Sequence, residues 1–249
     1  MINIVIPLAG KSSFFKEDEI IFPKPFTEIC GKTMIEMLIE NYQVFQEKQF
    51  IFILKEDDVR GFHLDEAIKV LAGKDSKIII IKEQTQGMAC SALLAVEWID
   101  NDNPLIIANA DQYFEINLNH VVSSFDNYKA GVITFESIHP RWAYVRLDND
   151  SNVIEAVEKN PISKNAIAGF YYYRQGKDFV QAAQKMIEKD VHLNGQFFIA
   201  PTLNELILMD KSIGIYKVDK EFYHTFYSME KIREYERIKN AKINSRIYK

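Results

Sequence analysis

The chain has 249 residues, 47% of them hydrophobic and 26% charged, with 30 Lys and Arg against 35 Asp and Glu. That length and apolar content support one large core with at most a small second lobe. The formal charge of -5 supplies no overall basic field for a nucleic-acid backbone, although a local lysine pocket still suits a small anion.

Met1 leads directly into an apolar strand, and no apolar run approaches the ~20 residues of a membrane helix, so a cytoplasmic protein without membrane contact is expected. Cys30, on the approach to a helix, and Cys90, in an apolar helix, lack the paired spacing of a zinc or redox motif and read as buried reduced thiols. The five histidines are scattered, without HxH or HxxxH spacing, which argues against a zinc site.

The first strand, Ile2–Pro7, runs into LAGKSSFF, followed by FPKP. A glycine turn leaving a buried strand exposes consecutive backbone N–H groups, and a lysine beside it adds a point charge. This pairing predicts a polyphosphate site. Helical spacing follows over Thr33–Phe45, Asp65–Leu71 and Met88–Ile99, alternating with short apolar strands at Gln49–Leu54, Lys77–Ile81 and Pro104–Ala108. The alternation predicts an α/β fold: a Rossmann-like three-layer sandwich around a mostly parallel, mixed central sheet.

From about Gly131 the runs GVITFE, WAYVRL, NVIEAV and AIAGFYYYR lie close together, separated by turn residues, and are expected to extend the sheet and wall a second pocket. Helices over Gly176–Lys189, Gln196–Met209 and Met229–Asn240, with a strand at Ile213–Val218, are expected to close the chain. No linker or repeat divides it, so residues 1–249 read as one domain with a soft division at residue 130.

In open α/β sheets ligands gather at the carboxyl ends of strands, which selects Leu8–Phe15, Glu83–Gly87 and Asn109–Asp111. Asp111 follows LIIANA, where its carboxylate can hold magnesium shared with a phosphate, or be a helix N-cap or turn aspartate. Gly87 admits a flat base or is plain turn chemistry. Glu158 and Lys159 form an acid–base pair at a turn, of a kind that is usually solvated surface charge. Tyr171–Arg174 reads as a strand with alternating buried and exposed rings. GxSxG, Walker A and GxGxxG are absent from the sequence.

In combination these segments resemble the sugar-phosphate nucleotidylyltransferase family almost end to end. PLAGKSSFF resembles its PLAG-x-G-S-R-F loop, FPKPFTEICGKTMIE its PKP segment and helix, QTQGMACSALLA its base-side loop, and IANADQYFE its metal-aspartate strand tip. WAYVRL, EKNPISKNAIAGFYYYR and NGQFFIAPTLNELI resemble its acceptor-side elements. The resemblance implies catalytic roles for Lys24 and Asp111, with Mg2+ on Asp111. It also implies nucleotide contacts from Leu8, Ala9, Gly10, Lys11, Ser12, Ser13, Lys24, Gln84, Gly87 and Asn109, and acceptor contacts from Glu158, Lys159, Gly169 and Asn194.

Two departures stand out. Phe14 occupies the place of the family's triphosphate arginine and Ser12 that of its second loop glycine, while Thr225 in HTFYSMEKI stands where relatives place a second metal-binding aspartate. The hexapeptide-repeat β-helix of some relatives is not found, so an added acyltransferase activity is not expected.

The implied reaction is in-line attack by an acceptor phosphate oxygen on the α-phosphorus of a nucleoside triphosphate, expelling pyrophosphate. The acceptor phosphate is already ionised near neutral pH, so no general base is needed. Over the whole chain the resemblance is to the cytidylyltransferases of capsular phosphoramidate synthesis, which implies CTP and phosphoglutamine as substrates and CDP-L-glutamine as product. The alternatives are a sugar-1-phosphate nucleotidylyltransferase using UTP, dTTP or CTP, and a degenerate nucleotide-binding regulatory module. Apolar helix faces leave a homodimer open.

Overall fold

The structure, a computed structural model, describes residues 1–10 and 22–247, with side chains to residue 241. In chain order its elements are β1 (Ile2–Pro7), a 3₁₀ turn (Lys24–Phe26), β2 (Glu28–Ile29), β3 (Lys32–Thr33), α1 (Met34–Tyr42), β4 (Lys48–Lys55), α2 (Glu56–Phe62), α3 (Leu64–Ala72) and β5 (Lys77–Ile81). There follow α4 (Met88–Leu93), α5 (Val96–Ile99), β6 (Leu105–Ala108), β7 (Gln112–Phe114), α6 (Leu118–Ser124), β8 (Ala130–Glu136), β9 (Ala143–Leu147) and β10 (Val153–Glu158). The last elements are β11 (Asn165–Tyr173), α7 (Gly176–Glu188), α8 (Thr202–Leu208), β12 (Ile213–Lys217), a second 3₁₀ turn (Lys220–Phe222), β13 (Tyr223–Thr225) and α9 (Met229–Ile247).

Nine strands form the central sheet, which runs β10-β9-β11-β6-β1-β4-β5, with β8 joining β11 to β12. Around β1 it is parallel, β1 pairing with both β4 and β6 and β4 with β5. Beyond β6 it is mixed, because β11 runs antiparallel to β6, β8 and β9 while β12 runs parallel to β8. Alternate residues of each strand feed opposite faces: Ile4 and Ile6 join the core beneath α1 and α3, whereas Val5 joins the core beneath α4, α7 and α8. This is the expected three-layer sandwich. A smaller cluster of Ile29, Met34, Phe226, Ile232 and Tyr235 joins the β2–β3 hairpin to α9.

The expected alternation of rings in Tyr171–Tyr173 does not occur: all three are buried, at 6%, 4% and 0% exposure. β11 lies between β6 and β8 with layers on both faces, so neither set of its side chains reaches solvent. Cys30 also departs from expectation. It is exposed, at the left-handed turn of the β2–β3 hairpin with φ 51°, while Cys90 is part-buried on α4.

Several boundaries were set by local bonds that periodicity does not reveal. Thr33 is an N-cap and not a helical residue: its hydroxyl accepts from the Glu36 amide while the Glu36 carboxylate accepts from the Thr33 amide. The expected helix Met88–Ile99 is split into α4 and α5, with Leu94 and Ala95 donating to carbonyls three residues back. Residues 196–201 are not helical. The Phe197 amide donates to the Gln86 carbonyl and the Phe197 carbonyl accepts from Ala89, so both backbone groups are committed to another loop, and Pro201 could not sit inside a helix. The helices α2 and α6 and the short strands β2, β3, β7 and β13 were not expected from the sequence.

Two asparagines clamp the strands that lead into the site. Asn41 of α1 donates to the Phe114 carbonyl and accepts from the Phe114 amide, both at 2.8 Å, fixing β7. Asn204 of α8 does the same to Ala156 in β10, also at 2.8 Å in each direction. Asn41→Ala is expected to cost about 1–3 kcal/mol by stranding a part-buried amide and carbonyl, and Asn41→Asp, which sets a carboxylate oxygen against the Phe114 carbonyl, should cost at least as much; urea denaturation of the three proteins tests the order.

Candidate active site

Lys24 lies in FPKP, and the flanking prolines make its placement rigid. Pro23 is extended, Pro25 is buried, and the Thr27 amide closes a 3₁₀ turn onto the Lys24 carbonyl. Asp111 leaves the end of β6 on a turn tied at both sides: the Asn109 amide donates to Gly169 at 2.9 Å, and the Asp111 carbonyl accepts from Phe226 at 2.7 Å. These two backbones bring Lys24 Nζ within 2.6 Å of Asp111 Oδ2, each side chain about one-quarter exposed. Asp111 therefore pairs with a cation and does not cap a helix.

The ion pair stands where two cavities meet. On one side is a cleft of about 860 Å³ that includes Leu8, Ala9, Gly10, Lys24, Gln84 and Gly87 in its wall. On the other is a chamber of about 360 Å³ walled in part by Gln112, Arg141, Trp142, Lys159, Thr225 and Tyr227. Asn109 and Asp111 belong to both. The strand-tip rule thus gathers residues from β1, β5 and β6 at one edge of the sheet, as expected. Lys11, Ser12, Ser13 and Phe14 lie outside the described residues.

Glu158 ends β10 half-buried and lines neither cavity, while its neighbour Lys159 is in the chamber wall. Burial pushes the Glu158 carboxyl up to about 7, against the opposing pull of the Lys159 ammonium. Lys159 has φ 55°, its amide donates to Trp142, and its Nζ lies 4.6 Å over the ring of Phe198, a residue of the cleft wall. Lys159 is exposed and Glu158 half-buried, so only the acid of the pair departs from plain surface charge. Asn194 is not brought in: it is exposed in a left-handed turn after β-bridge residue Leu193 and lines neither cavity, whereas Gln196 and Phe198 line the cleft.

Glycine is required at two positions for reasons the sequence left open. Gly87 has φ 117°, and a Cβ there would come within 2.4 Å of the Phe197 carbonyl, so the close approach it permits is that of protein backbone, with the cleft on its other side. Gly169 has φ 65° at the point where β11 shifts register, and a Cβ would fall 2.4–2.5 Å from the amides of Gln112 and Asn109. Its absence makes room for both amides in the chamber wall.

Sequence reasoning missed several site residues. Arg141 lies between β8 and β9 with its guanidinium carbon 3.7 Å from the Tyr227 ring centroid and 5.6 Å from that of Trp142. Lys55 and Asp58 enter the cleft from the β4–α2 junction, where burial raises the Asp58 carboxyl above its ordinary value. The signals available were the HPRW turn after one strand and the KEDD run after another, both at strand ends. Thr225 sits in the chamber because β13 pairs it with Gln112, next to Asp111. Behind that strand the Glu115 carboxylate lies 2.9 Å from His224 Nε2 and 2.7 Å from Lys239 Nζ, fastening α9 to the β7–β13 pair.

The family model for nucleotidyl transferases matches residues 21–206, three-quarters of the chain. The chain belongs to the nucleotidyl transferase family. Among curated proteins it is 26% identical over 219 residues to the bifunctional protein GlmU of Methanocaldococcus jannaschii, covering 86% of this chain and 48% of that one. It is 27% identical over 203 residues to the GlmU of Methanococcus vannielii, covering 78% and 44%. The chain therefore spans about half the length of these relatives. Its fold is that of the nucleoside-diphosphate-sugar pyrophosphorylase from Vibrio cholerae RC9, with a TM-score of 0.79, 22% identity, and coverage of 94% and 99%. Within this nucleotidyl transferase the described residues include no group of three or more His, Cys, Asp or Glu placed to hold a metal ion.

Two outcomes follow for this nucleotidyl transferase. Gly87→Ala is expected to destabilise the fold by roughly 1–3 kcal/mol, because both its φ and the Phe197 backbone resist a Cβ; thermal unfolding should report this with no nucleotide present. The folded Glu158 value lies above the ordinary 4.5, so its contribution to stability is complete below pH 4.5 and lost as pH rises through about 7. Glu158→Gln should flatten the stability profile over that window, and an unchanged slope in urea titrations from pH 4.5 to 8 would contradict the burial of this carboxyl.

Proposed function

We propose that the chain transfers a nucleotidyl group from a nucleoside triphosphate to a phosphorylated small molecule and releases pyrophosphate. The observation that carries this reading is the 2.6 Å Lys24–Asp111 pair at the junction of cleft and chamber. A bond-forming centre between a nucleotide and an acceptor belongs at such a junction. Residues 1–130 hold the nucleotide in this reading, and residues 131–249 hold most of the acceptor.

The Leu8 amide is already committed to the Ile53 carbonyl at 2.8 Å, so the backbone amides of Ala9 and Gly10 just after β1 orient the phosphates, and the Lys24 ammonium offsets charge on the transferring group. The acceptor's phosphate oxygen enters from the chamber, already ionised, and attacks the α-phosphorus as the bond to pyrophosphate breaks. Lys159 and Asn109 orient it. The donor set at the seam, one carboxylate with the Thr225 hydroxyl in the same chamber, suits a hard cation such as Mg2+ that completes its shell with phosphate oxygens and water. Asp111 would hold such an ion, which when bound would offset charge on the phosphoryl group.

For the substrates, CTP and phosphoglutamine are our reading, giving CDP-L-glutamine and pyrophosphate. It is supported by the whole-chain resemblance to cytidylyltransferases. A sugar-1-phosphate with UTP, dTTP or CTP is the second reading, favoured by the sugar named in the Vibrio neighbour's description. Pyrophosphate release over a grid of triphosphates and phosphorylated acceptors separates them, and binding of triphosphate with no release from any acceptor would leave only a regulatory role. Lys24→Ala and Asp111→Asn are each expected to lower turnover on the order of a hundredfold or more with little change in unfolding midpoint, since the pair is partly exposed. Wild-type turnover in either variant would refute the assignment.

A further inference from the structure

We propose that the Gln112 side-chain amide selects the acceptor: its oxygen stays unpaired in the free chain and is satisfied by an O–H or N–H group that the acceptor carries next to its phosphate. The inference rests on the transfer reading for the identity of the chamber, and it adds the chemical class of the acceptor and a residue that selects it.

Gln112 begins β7, the strand that Asn41 grips at Phe114 and that β13 pairs through Thr225. Its backbone is therefore fixed and cannot shift to find the side chain a partner. The residue is 5% exposed and lines the chamber, and its Oε1 is buried without a hydrogen-bond partner. An amide oxygen that has lost water and gained nothing in exchange costs stability. Unbonded hydroxyls also occur on Thr134 and Tyr223, but neither of those residues lines a cavity. At Gln112 the unpaired atom belongs to a wall that a ligand can reach.

The floor under the amide is Gly169. A Cβ there would stand 2.4 Å from both polar atoms of the Gln112 amide and 2.5 Å from the Asn109 amide nitrogen, so the bare glycine lets two side-chain amides share one surface beside Asp111. The terminal torsion of a glutamine is broad, and no side chain rises from this floor to block it, so the oxygen can turn into the chamber at small cost. Asn109 belongs to both cavities and donates to the phosphate at the Lys24–Asp111 junction, in keeping with the transfer reading. Gln112 follows Asp111 in the chain and lines the chamber but not the cleft, so it meets the acceptor atoms next to that phosphate. An amide oxygen accepts and never donates. A second anionic oxygen there would set lone pair against lone pair, whereas an O–H or N–H supplies the missing proton. The hydroxyl beside a sugar phosphate and the N–H of a phosphorylated amide both meet this requirement.

The test uses the full chain and Gln112→Met, a variant of similar reach with no amide. With no ligand present the variant is expected to melt about 2–8 °C above the wild type, because the unpaired oxygen is gone. Two matched pairs of probes then differ in the donor: glucose 1-phosphate and its 2-deoxy analogue, and glutamine phosphorylated on its side-chain amide nitrogen and the same compound methylated at that nitrogen. Calorimetric titration of the wild type is expected to show at least one donor-bearing probe binding about tenfold to a hundredfold more tightly than its partner. In Gln112→Met that preference should fall within about threefold, with CTP affinity unchanged because Gln112 is not in the cleft wall. Equal binding within both pairs, absence of binding by every probe, a preference that survives in the variant, or a melting point that stays level or drops would each overturn the proposal. Because melting and binding are read without turnover, failure of pyrophosphate release with the donor preference intact would sink the transfer reading and leave this one standing.

Discussion

An ammonium and a carboxylate 87 positions apart in the chain meet at 2.6 Å, and the two cavities that share Asp111 open on either side of that meeting. Their mutual attraction is modest, because both are partly exposed and water screens them. The position is set instead by stiff backbone: prolines on each side of Lys24, and for Asp111 a turn bonded to β11 on one flank and to the end of β13 on the other. A weak interaction held in a rigid frame is what charge stabilisation of a phosphoryl group needs, since the groups do not have to reorganise when charge develops.

The frame extends outward from that point. Asn41 and Asn204 each grip both backbone groups of one strand residue, fixing β7 and β10 where they deliver Asp111's neighbours and the Glu158–Lys159 pair. Gly169 lets β11 change register and leaves space for two amides in the chamber wall. Glu115, His224 and Lys239 tie α9 to the strand that carries Thr225.

Much of the fold was legible because it rests on local pattern. Buried strands around β1 read as continuous apolar runs, and the amphipathic helices α3 and α7 read from their spacing. What was misread depended on distant partners. The residues before α8 look helical until the Phe197 backbone is seen bonded to Gln86 and Ala89, and the three tyrosines of β11 look alternating until both sheet faces are seen covered. Likewise, the site residues found from the sequence were those at the ends of early strands or in motifs of fixed order. Arg141, Lys55 and Asp58 carry no motif, and Asn194 was placed by order alone and lies outside both cavities.

By itself the sequence determined the layered α/β class, a lysine held between prolines near the start and an aspartate at a strand tip, because periodicity and proline chemistry act over a few residues and need no partner. Tertiary structure decided which of the charged side chains share a space, since two cavities meeting at Asp111 are a product of sheet order and strand pairing between segments far apart in the chain. It also raised the Glu158 carboxyl, because withdrawal from water is a property of the packed molecule and not of the residue.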